Sequence, residues 1–380
     1  SSDPLSDLYQ TFVGTEVRGN EGQFFTPPQA VNWIIEAINP QRGESIIDPA
    51  CGAGSFLFSA ARHLKKAKVR DAQIAKSIYG VEKDNYLSKL ANTHLSLVTL
   101  EHSNIICGDS IERTNANNEA IKIDFESSFD IVVANPPFGS KIKVGSKSAK
   151  ERFDLAKKWL KDKETGQYTI TDKFVTNPSP QILFIEICLK LLSDGGRLGV
   201  VVPESMISNA SSGHVVNYLM KNTQLEAVIG MPENLFKTSG KGGTHTKVCL
   251  LISSKVKRIP KNYKIFMAEA KWCGNDSRGN TIPHNDLPKI LDRYMEFKSN
   301  KSLKSIDNLG YIVPSESIKD FVLAPRYYDP RISKSLDSLS DTHNLISIQS
   351  LIDQGLLEIR RGDEVGKLAY GTGDIPFIRH

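Results

Sequence analysis

The chain has 380 residues, of which 39% are hydrophobic and 24% are charged, and its formal net charge is +5. This composition is typical of a soluble globular protein, and the mild positive charge permits a polyanionic partner without requiring one. No apolar run approaches the roughly 18 residues of a membrane-spanning helix, and the amino-terminal segment lacks the features of a signal peptide. The five scattered cysteines have no metal-ligand spacing. We therefore expect reduced thiols, no bound metal and a cytoplasmic location.

Helix-like and strand-like stretches alternate from about residue 29 to about residue 255. In chain order they are helix AVNWIIEAI, strand SIID, helix SFLFSAARHLKKA, strand SIYGVE, helix YLSKLANTHLSLV, strands NIICGD and FDIVVA, helix QILFIEICLKLLSDGG, and strands RLGVVVP, LEAVIGM and TKVCLLIS. This alternation predicts an α/β fold with a doubly wound, mostly parallel sheet. Ligands of such sheets bind at the carboxyl ends of the strands.

Three departures from this alternation suggest how the chain is divided. A long polar, lysine-rich insertion occupies residues 140–178, residues 261–340 are less regular, and a new pattern begins at about residue 341. We therefore expect a helical lead-in over residues 1–24, the alternating domain over residues 25–260, and a connecting region before residue 341. Residues 341–380 look like the beginning of a further domain that is cut short.

Acidic side chains end three successive predicted strands. Asp48 ends the first strand and is followed by Gly52 and Gly54, which let a loop approach a ligand closely. No G-x-G-x-x-G pattern and no P-loop lysine is present, which argues against a nucleoside triphosphate. Glu82 ends the second strand, where an acid commonly binds a ribose diol, and Asp109 can accept a hydrogen bond from an adenine amino group. Each acid alone is compatible with an ordinary loop, but three at successive strand ends favour one ligand site.

The next strand ends in the turn Asn135-Pro136-Pro137-Phe138. The prolines stop the strand and stiffen the turn. The amide oxygen of Asn135 and a backbone carbonyl can accept both hydrogens of a planar amino group, which would localise the nitrogen lone pair for attack. Phe138 offers a face on which a flat ring can stack. The turn therefore predicts a flat substrate that carries an amino group, although a plain proline turn has the same pattern.

With these residues in this order, the sequence resembles the gamma group of DNA adenine-N6 methyltransferases. It resembles most the modification subunit of type I restriction systems and the related single-chain enzymes. The likeness covers about residues 5–255, and it is carried by GQFFTPPQAV, DPACGAGSF, NPPF, LFIEICLKLLSDGGRLGVVVP and MPENLFKTSGKGGTHTKVCLLI. It implies the S-adenosylmethionine-dependent methyltransferase fold, with a seven-stranded sheet whose last strand is antiparallel.

The resemblance also implies roles for the matching residues. It assigns S-adenosylmethionine binding to Phe25, Thr26, Pro27, Asp48, Ala50, Gly52, Gly54, Glu82, Asp109 and Asn135. It assigns methyl transfer to N6 of an adenine flipped out of the duplex to Asn135, Pro136, Pro137, Phe138 and Phe236. In this assignment Phe236 stacks on the base opposite Phe138.

The tail IRRGDEVGKLAYGTGDIPFIR resembles the opening of a target-recognition domain of type I specificity subunits. It implies double-stranded DNA as the partner, with a specificity subunit or its fused equivalent and a restriction subunit as further partners. The function expected is that of a site-specific adenine methyltransferase in a restriction-modification or phage-defence system. Two alternatives stay open, which are a protein glutamine-N5 methyltransferase and a non-catalytic DNA-binding scaffold.

Overall fold

The computed structural model describes residues 26–126, 128–138, 146–238, 246–276, 278 and 280–359. The predicted helical lead-in, Phe25, the first part of the insertion and the carboxyl-terminal part of the tail lie outside these residues. The chain divides into two compact units, residues 1–330 and residues 331–380. None of the helices in the described ranges combines the length and the apolar character that crossing a membrane requires.

The strands are β1 (Ile46–Asp48), β2 (Ile78–Glu82), β3 (Asn104–Asp109), β4 (Thr114–Asn115), β5 (Phe129–Ala134), β6 (Lys157–Lys161), β7 (Tyr168–Phe174), β8 (Leu192–Pro203), β9 (Gln224–Gly230), β10 (Val248–Ser254), β11 (Lys264–Glu269), β12 (Cys273–Asn275), β13 (Thr281–Asn285) and β14 (Tyr311–Pro314). The helices are α1 (Pro28–Ile38), α2 (Ser55–Lys66), α3 (Asp71–Ser77), α4 (Asn85–Thr99), α5 (Lys147–Glu151), α6 (Pro180–Leu191), α7 (Glu204–Ser208), α8 (Gly213–Asn222), α9 (Leu287–Asn300), α10 (Pro330–Ser340) and α11 (Ile348–Asp353).

Ten strands form one sheet in the order β14-β11-β9-β10-β8-β5-β1-β2-β3-β4. The seven strands from β9 to β3 in this order are parallel to one another except β10, which is antiparallel to both of its neighbours. The predicted fold class, a doubly wound and mostly parallel α/β sheet, is confirmed. The antiparallel strand is the last of the seven along the chain, as the resemblance implies.

Three further strands extend this sheet. β4 pairs antiparallel with β3, β11 pairs parallel with β9, and β14 pairs antiparallel with β11. Both β11 and β14 come from the stretch 261–340, which the sequence predicts to be a connecting region. The edge of the sheet therefore does not coincide with the predicted boundary at residue 260.

Helix α6 is shorter than the sequence pattern predicts. The sequence predicts that this helix is stopped by the glycines at residues 195 and 196, whereas α6 ends at Leu191 and Leu192 already has an extended backbone. The physical reason is pairing of β8 with the end of β10, because the Gly195 amide donates to the Lys255 carbonyl at 2.7 Å and the Lys255 amide donates to the Gly196 carbonyl at 2.8 Å. These sheet hydrogen bonds replace those of a further helical turn.

Helices cover both faces of the sheet, and β5 shows how its side chains divide between them. Ile131 and Val133 belong to the apolar core that contains side chains of α1, α2 and α9. Val132 and Ala134 belong to the core that contains side chains of α6 and α8. Successive side chains of a strand point to opposite faces, and a parallel sheet covered on both sides is apolar at every position. This burial holds the carboxyl end of β5 in place.

The described part of the insertion is tied to helix α6 by a buried carboxylate. Glu186 of α6 is fully buried and accepts the backbone N–H groups of Asp154 and Leu155 at 3.0 and 2.8 Å. Lys190 contacts the same carboxylate at 3.0 Å. Beyond this anchor, β6 and β7 pair as an antiparallel hairpin.

Candidate active site

A cleft lies at the carboxyl ends of β1, β2, β3 and β5. Its lining includes one polar residue from the end of each of these strands, namely Asp48, Glu82, Asp109 and Asn135. Parallel strands bring their carboxyl ends to the same edge of a sheet, which is where ligands of such sheets bind. The four strand-end residues that the sequence singled out therefore surround one space.

Two acids at the base of the cleft are buried close together. Asp48 is 1% exposed and accepts the Ala50 backbone N–H at 3.0 Å. Burial raises the pKa of Asp48 from 3.8 to about 8, the Ala50 hydrogen bond opposes the rise, and the nearby Glu82 carboxylate adds to it. Burial also raises the pKa of Glu82, against the hydrogen bonds that it accepts from backbone N–H groups. A pocket with two desolvated carboxyl groups favours a ligand that brings positive charge or hydrogen-bond donors.

Glycines shape the loop between β1 and α2. Gly52 has a φ of +53°, and its N–H donates to Glu82 Oε2 at 2.8 Å. Gly54 has a φ of +84° and precedes the first residue of α2. A Cβ added to Gly54 would lie 3.1 Å from the Cβ of Ala91 on α4. The left-handed backbone and this close approach explain why glycine is needed at residue 54.

Asp109 is already engaged by the protein. Its Oδ1 accepts the backbone N–H groups of Ile111 and Glu112 at 2.8 and 3.1 Å. Its Oδ2 forms an ion pair with Lys83 Nζ at 3.1 Å. Because Lys83 follows directly after Glu82 and also lines the cleft, this pair joins the ends of β2 and β3. Oδ1 already accepts two backbone N–H groups, so a ligand amino group that donates a hydrogen bond to Asp109 would share Oδ2 with Lys83.

The side-chain amide of Asn135 has one engaged end and one open end. Its Nδ2 donates to Thr26 Oγ1 at 2.9 Å. Its Oδ1 is buried and has no hydrogen-bond partner among the described residues. A buried acceptor without a donor is unfavourable, and this one belongs to a residue that lines the cleft. The atom is therefore suited to accept a hydrogen bond from a ligand.

The two predicted aromatic residues lie in different surroundings. Phe138 lines the cleft, whereas Phe236 is 0% exposed and does not belong to the lining. Their ring centroids are 5.9 Å apart with an interplanar angle of 75°, which is an edge-to-face contact. Two rings in direct edge-to-face contact leave no room for a base stacked between them. In this arrangement Phe236 supports Phe138 from the core.

The cleft lining brings together ten of the residues that the sequence proposed. They are Thr26, Asp48, Ala50, Gly52, Glu82, Asp109, Asn135, Pro136, Pro137 and Phe138. Pro27 and Gly54 stand immediately before helices α1 and α2 instead. Lining residues that sequence reasoning missed include Phe56, Lys83, Ser110, Pro180 and Phe184. Lys83 and Ser110 follow the strand-end acids directly, a signal that could have been used. In the described ranges, no three His, Cys, Asp or Glu side chains form a group that could hold a metal ion.

The fold and the cleft together define a class of protein, the α/β methyltransferase-like folds, and solved structures share this fold. One structure, from work on complex assembly and conformational transition of the type I R-M system, has a TM-score of 0.62 and 22% identity, covering 92% of this chain and 68% of that chain. Another, named as a modification subunit from Vibrio vulnificus YJ016, has a TM-score of 0.58 and 22% identity, covering 83% of this chain and 60% of that chain.

The family is identified by a match over most of the sequence. The family described as N-6 DNA Methylase matches residues 1–334, and the chain belongs to this family. Among curated relatives, the type I restriction enzyme EcoEI methylase subunit of Escherichia coli is 26% identical over 296 residues, covering 72% of this chain and 55% of the relative. The chain thus spans about half the length of the curated relatives it matches. The predicted resemblance to type I methylase subunits is confirmed.

Proposed function

We propose that this chain carries the methyl-transfer domain of a site-specific DNA adenine-N6 methyltransferase that uses S-adenosylmethionine. The observation that carries the proposal is the buried Oδ1 of Asn135, which finds no hydrogen-bond donor in the described part of the chain. Asn135 lines a cleft that Phe138 and three strand-end acids also line. An acceptor beside an aromatic face suits a flat ring with an amino group.

The other end of the cleft fits the cofactor. Glu82 and Asp109 line it, and they would bind the ribose diol and the adenine amino group. Asp48, whose carboxyl group is buried, would face the positively charged part. The glycine loop leaves room beside them, because a Cβ added to Gly52 would have nothing within 4 Å. When bound, S-adenosylmethionine supplies an activated methyl group on a sulfonium centre.

The chain's own residues would act on the base. Asn135 Oδ1 and the Pro136 carbonyl would accept the two N6 hydrogens, and Phe138 would stack on the ring. Pro136 and Pro137 keep the backbone of this turn stiff, so the acceptors need little rearrangement when the base enters. Positioning of this kind can supply much of a rate enhancement. Because a base inside a duplex is inaccessible, the adenine must be flipped out.

The proposed partners follow from the relatives. These relatives are named as methylase subunits of type I restriction enzymes. We propose double-stranded DNA as the substrate, and a specificity subunit or a fused equivalent together with a restriction subunit as further partners. The tail that resembles a target-recognition domain supports the fused arrangement, although its matching segment lies outside the described residues.

The acceptor class provides the test. Purified protein is incubated with methyl-labelled S-adenosylmethionine together with adenine-unmethylated genomic DNA and a cell protein extract. We expect label in the DNA fraction and none in protein. Label in protein alone would favour the glutamine-N5 alternative. Binding of cofactor and DNA without any transfer would favour a non-catalytic scaffold.

A further inference from the structure

The amide group of Asn135 can face the cleft in two ways. With Oδ1 toward the cleft it accepts a hydrogen bond, and after a half turn Nδ2 would face the cleft as a donor. Only the first orientation can receive the hydrogens of an amino group. In the structure Nδ2 donates to Thr26 Oγ1 at 2.9 Å, and Oδ1 is the end of the amide that is buried without a partner within the described ranges.

Thr26 is itself held by its neighbours. Pro27 and Pro28 follow it, and their rings fix the φ angles at the start of α1. The Pro27 carbonyl accepts the first amides of that helix. The next side chain, Gln29, donates from Nε2 to Asn275 Oδ1 at 3.1 Å. The Thr26 hydroxyl is therefore presented to Asn135 from a stiff segment 109 positions away in the sequence.

We propose that Thr26 is a positioning residue for the transfer step, in which its hydroxyl accepts the hydrogen bond from Asn135 Nδ2 and leaves Oδ1 as the acceptor for the substrate. This inference rests on the proposed function and deepens it, since it assigns to Thr26 a task on the substrate side rather than the cofactor contact expected from the sequence. The Thr26 hydroxyl acts through Asn135 and needs no contact with the base.

Substitution of the hydroxyl separates the two tasks. Thr26→Val keeps the shape and removes the acceptor, Thr26→Ser keeps the acceptor, and Thr93→Val makes the same change at an exposed position of α4. Single-turnover methyl transfer is measured at saturating DNA and cofactor, and S-adenosylhomocysteine affinity is measured by calorimetry. For Thr26→Val we expect a rate about tenfold lower, equivalent to about 1.4 kcal/mol, with unchanged affinity. Thr26→Ser and Thr93→Val should stay within about twofold of wild type.

Two outcomes would overturn the inference. Transfer by Thr26→Val at the wild-type rate would show that the hydroxyl does not position the amide, and weaker S-adenosylhomocysteine binding would return Thr26 to the cofactor site. Melting temperatures check the fold, and Thr26→Ala replaces the valine variant if that variant is unfolded.

A readout that needs no activity separates this inference from the proposed function. The side-chain amide signal of Asn135, identified in NMR spectra by its loss in Asn135→Asp, should shift in Thr26→Val and not in Thr93→Val. An unshifted signal contradicts the inference even if transfer occurs. If the signal shifts in Thr26→Val but the wild-type protein transfers no methyl group, the Thr26–Asn135 contact stands and the proposed function is defeated.

Discussion

Replacing Asp48 by asparagine should make the free energy of unfolding less dependent on pH. The folded chain keeps the Asp48 proton until about pH 8, because burial raises the pKa of this group from 3.8. In the unfolded chain the proton is lost near the ordinary value. Between these two values the folded state holds one more proton than the unfolded state, so stability falls as pH rises. Asparagine removes this proton and keeps an oxygen that can accept the Ala50 N–H.

The size of the effect follows from one proton. Each pH unit within this window lowers the free energy of unfolding of the wild type by about 1.4 kcal/mol through Asp48 alone. Between about pH 6 and about pH 8 the slope flattens as the folded group begins to ionise. The wild type should therefore lose about 2 kcal/mol more than Asp48→Asn over this interval.

Urea unfolding of both proteins at several pH values measures this difference directly. All other titrating groups are common to the two proteins, so subtracting one pH profile from the other isolates Asp48 and its coupling to Glu82. Parallel profiles would refute the reasoning, because they would mean that Asp48 has the same pKa in the folded and unfolded chains. If the stability of Asp48→Asn fell more steeply with pH than that of the wild type, the pKa of Asp48 would be shifted in the opposite direction.

Two further substitutions test the end of β2 and the glycine loop after β1. Lys83→Met frees Asp109 Oδ2 from its ion pair, so S-adenosylmethionine should bind about threefold more tightly in calorimetry, with the free energy of unfolding changed by less than about 1 kcal/mol. Weaker binding, or the same gain in the control Lys89→Met, would contradict the idea that Lys83 and the ligand share Oδ2. Gly54→Ala should cost about 1–2 kcal/mol for its left-handed backbone, plus about 1 kcal/mol for the contact with α4. Gly195→Ala, with a φ of +83° and open space around it, should show only the first cost in urea unfolding, and equal losses would exclude the contact.

The strand ends could be predicted because the signals are local. Asp48, Glu82 and Asp109 each end a short apolar stretch that begins only a few residues earlier, and each stretch forms the predicted strand. The rule that parallel strands end at one edge then brings these residues together without knowledge of the strand order. The same reasoning places Asn135 beside them.

The additional strands could not be predicted in this way. β14 has only four residues, Tyr311–Pro314, and it pairs antiparallel with β11. Along the chain, β12, β13 and α9 separate these two strands. A stretch of this length carries too little periodicity to stand out from loop. Its pairing depends on a neighbour more than 40 positions away in the sequence.

The surroundings of single side chains were also beyond the sequence. Nothing local indicates that Phe236 is fully buried at the edge of the Phe138 ring. Nor does the sequence pattern reveal that Asn135 donates a hydrogen bond to Thr26 or that Lys83 forms an ion pair with Asp109. These contacts join segments that only the folded sheet brings together, so the sequence predicted which residues meet but not which atoms remain open to a ligand.

The most direct measurement of the central claim identifies the methylated nucleoside. DNA without N6-methyladenine is incubated with S-adenosylmethionine and either wild-type protein or Asn135→Ala, then digested and analysed by mass spectrometry. Asn135→Ala removes the amide acceptor from the cleft lining. As a control, Asn92→Ala removes an amide on α4 that is not part of this lining. The account predicts N6-methyladenine with the wild type and Asn92→Ala, and at least about 100-fold less with Asn135→Ala. Methylation of another base, or equal N6-methyladenine from Asn135→Ala, would contradict it.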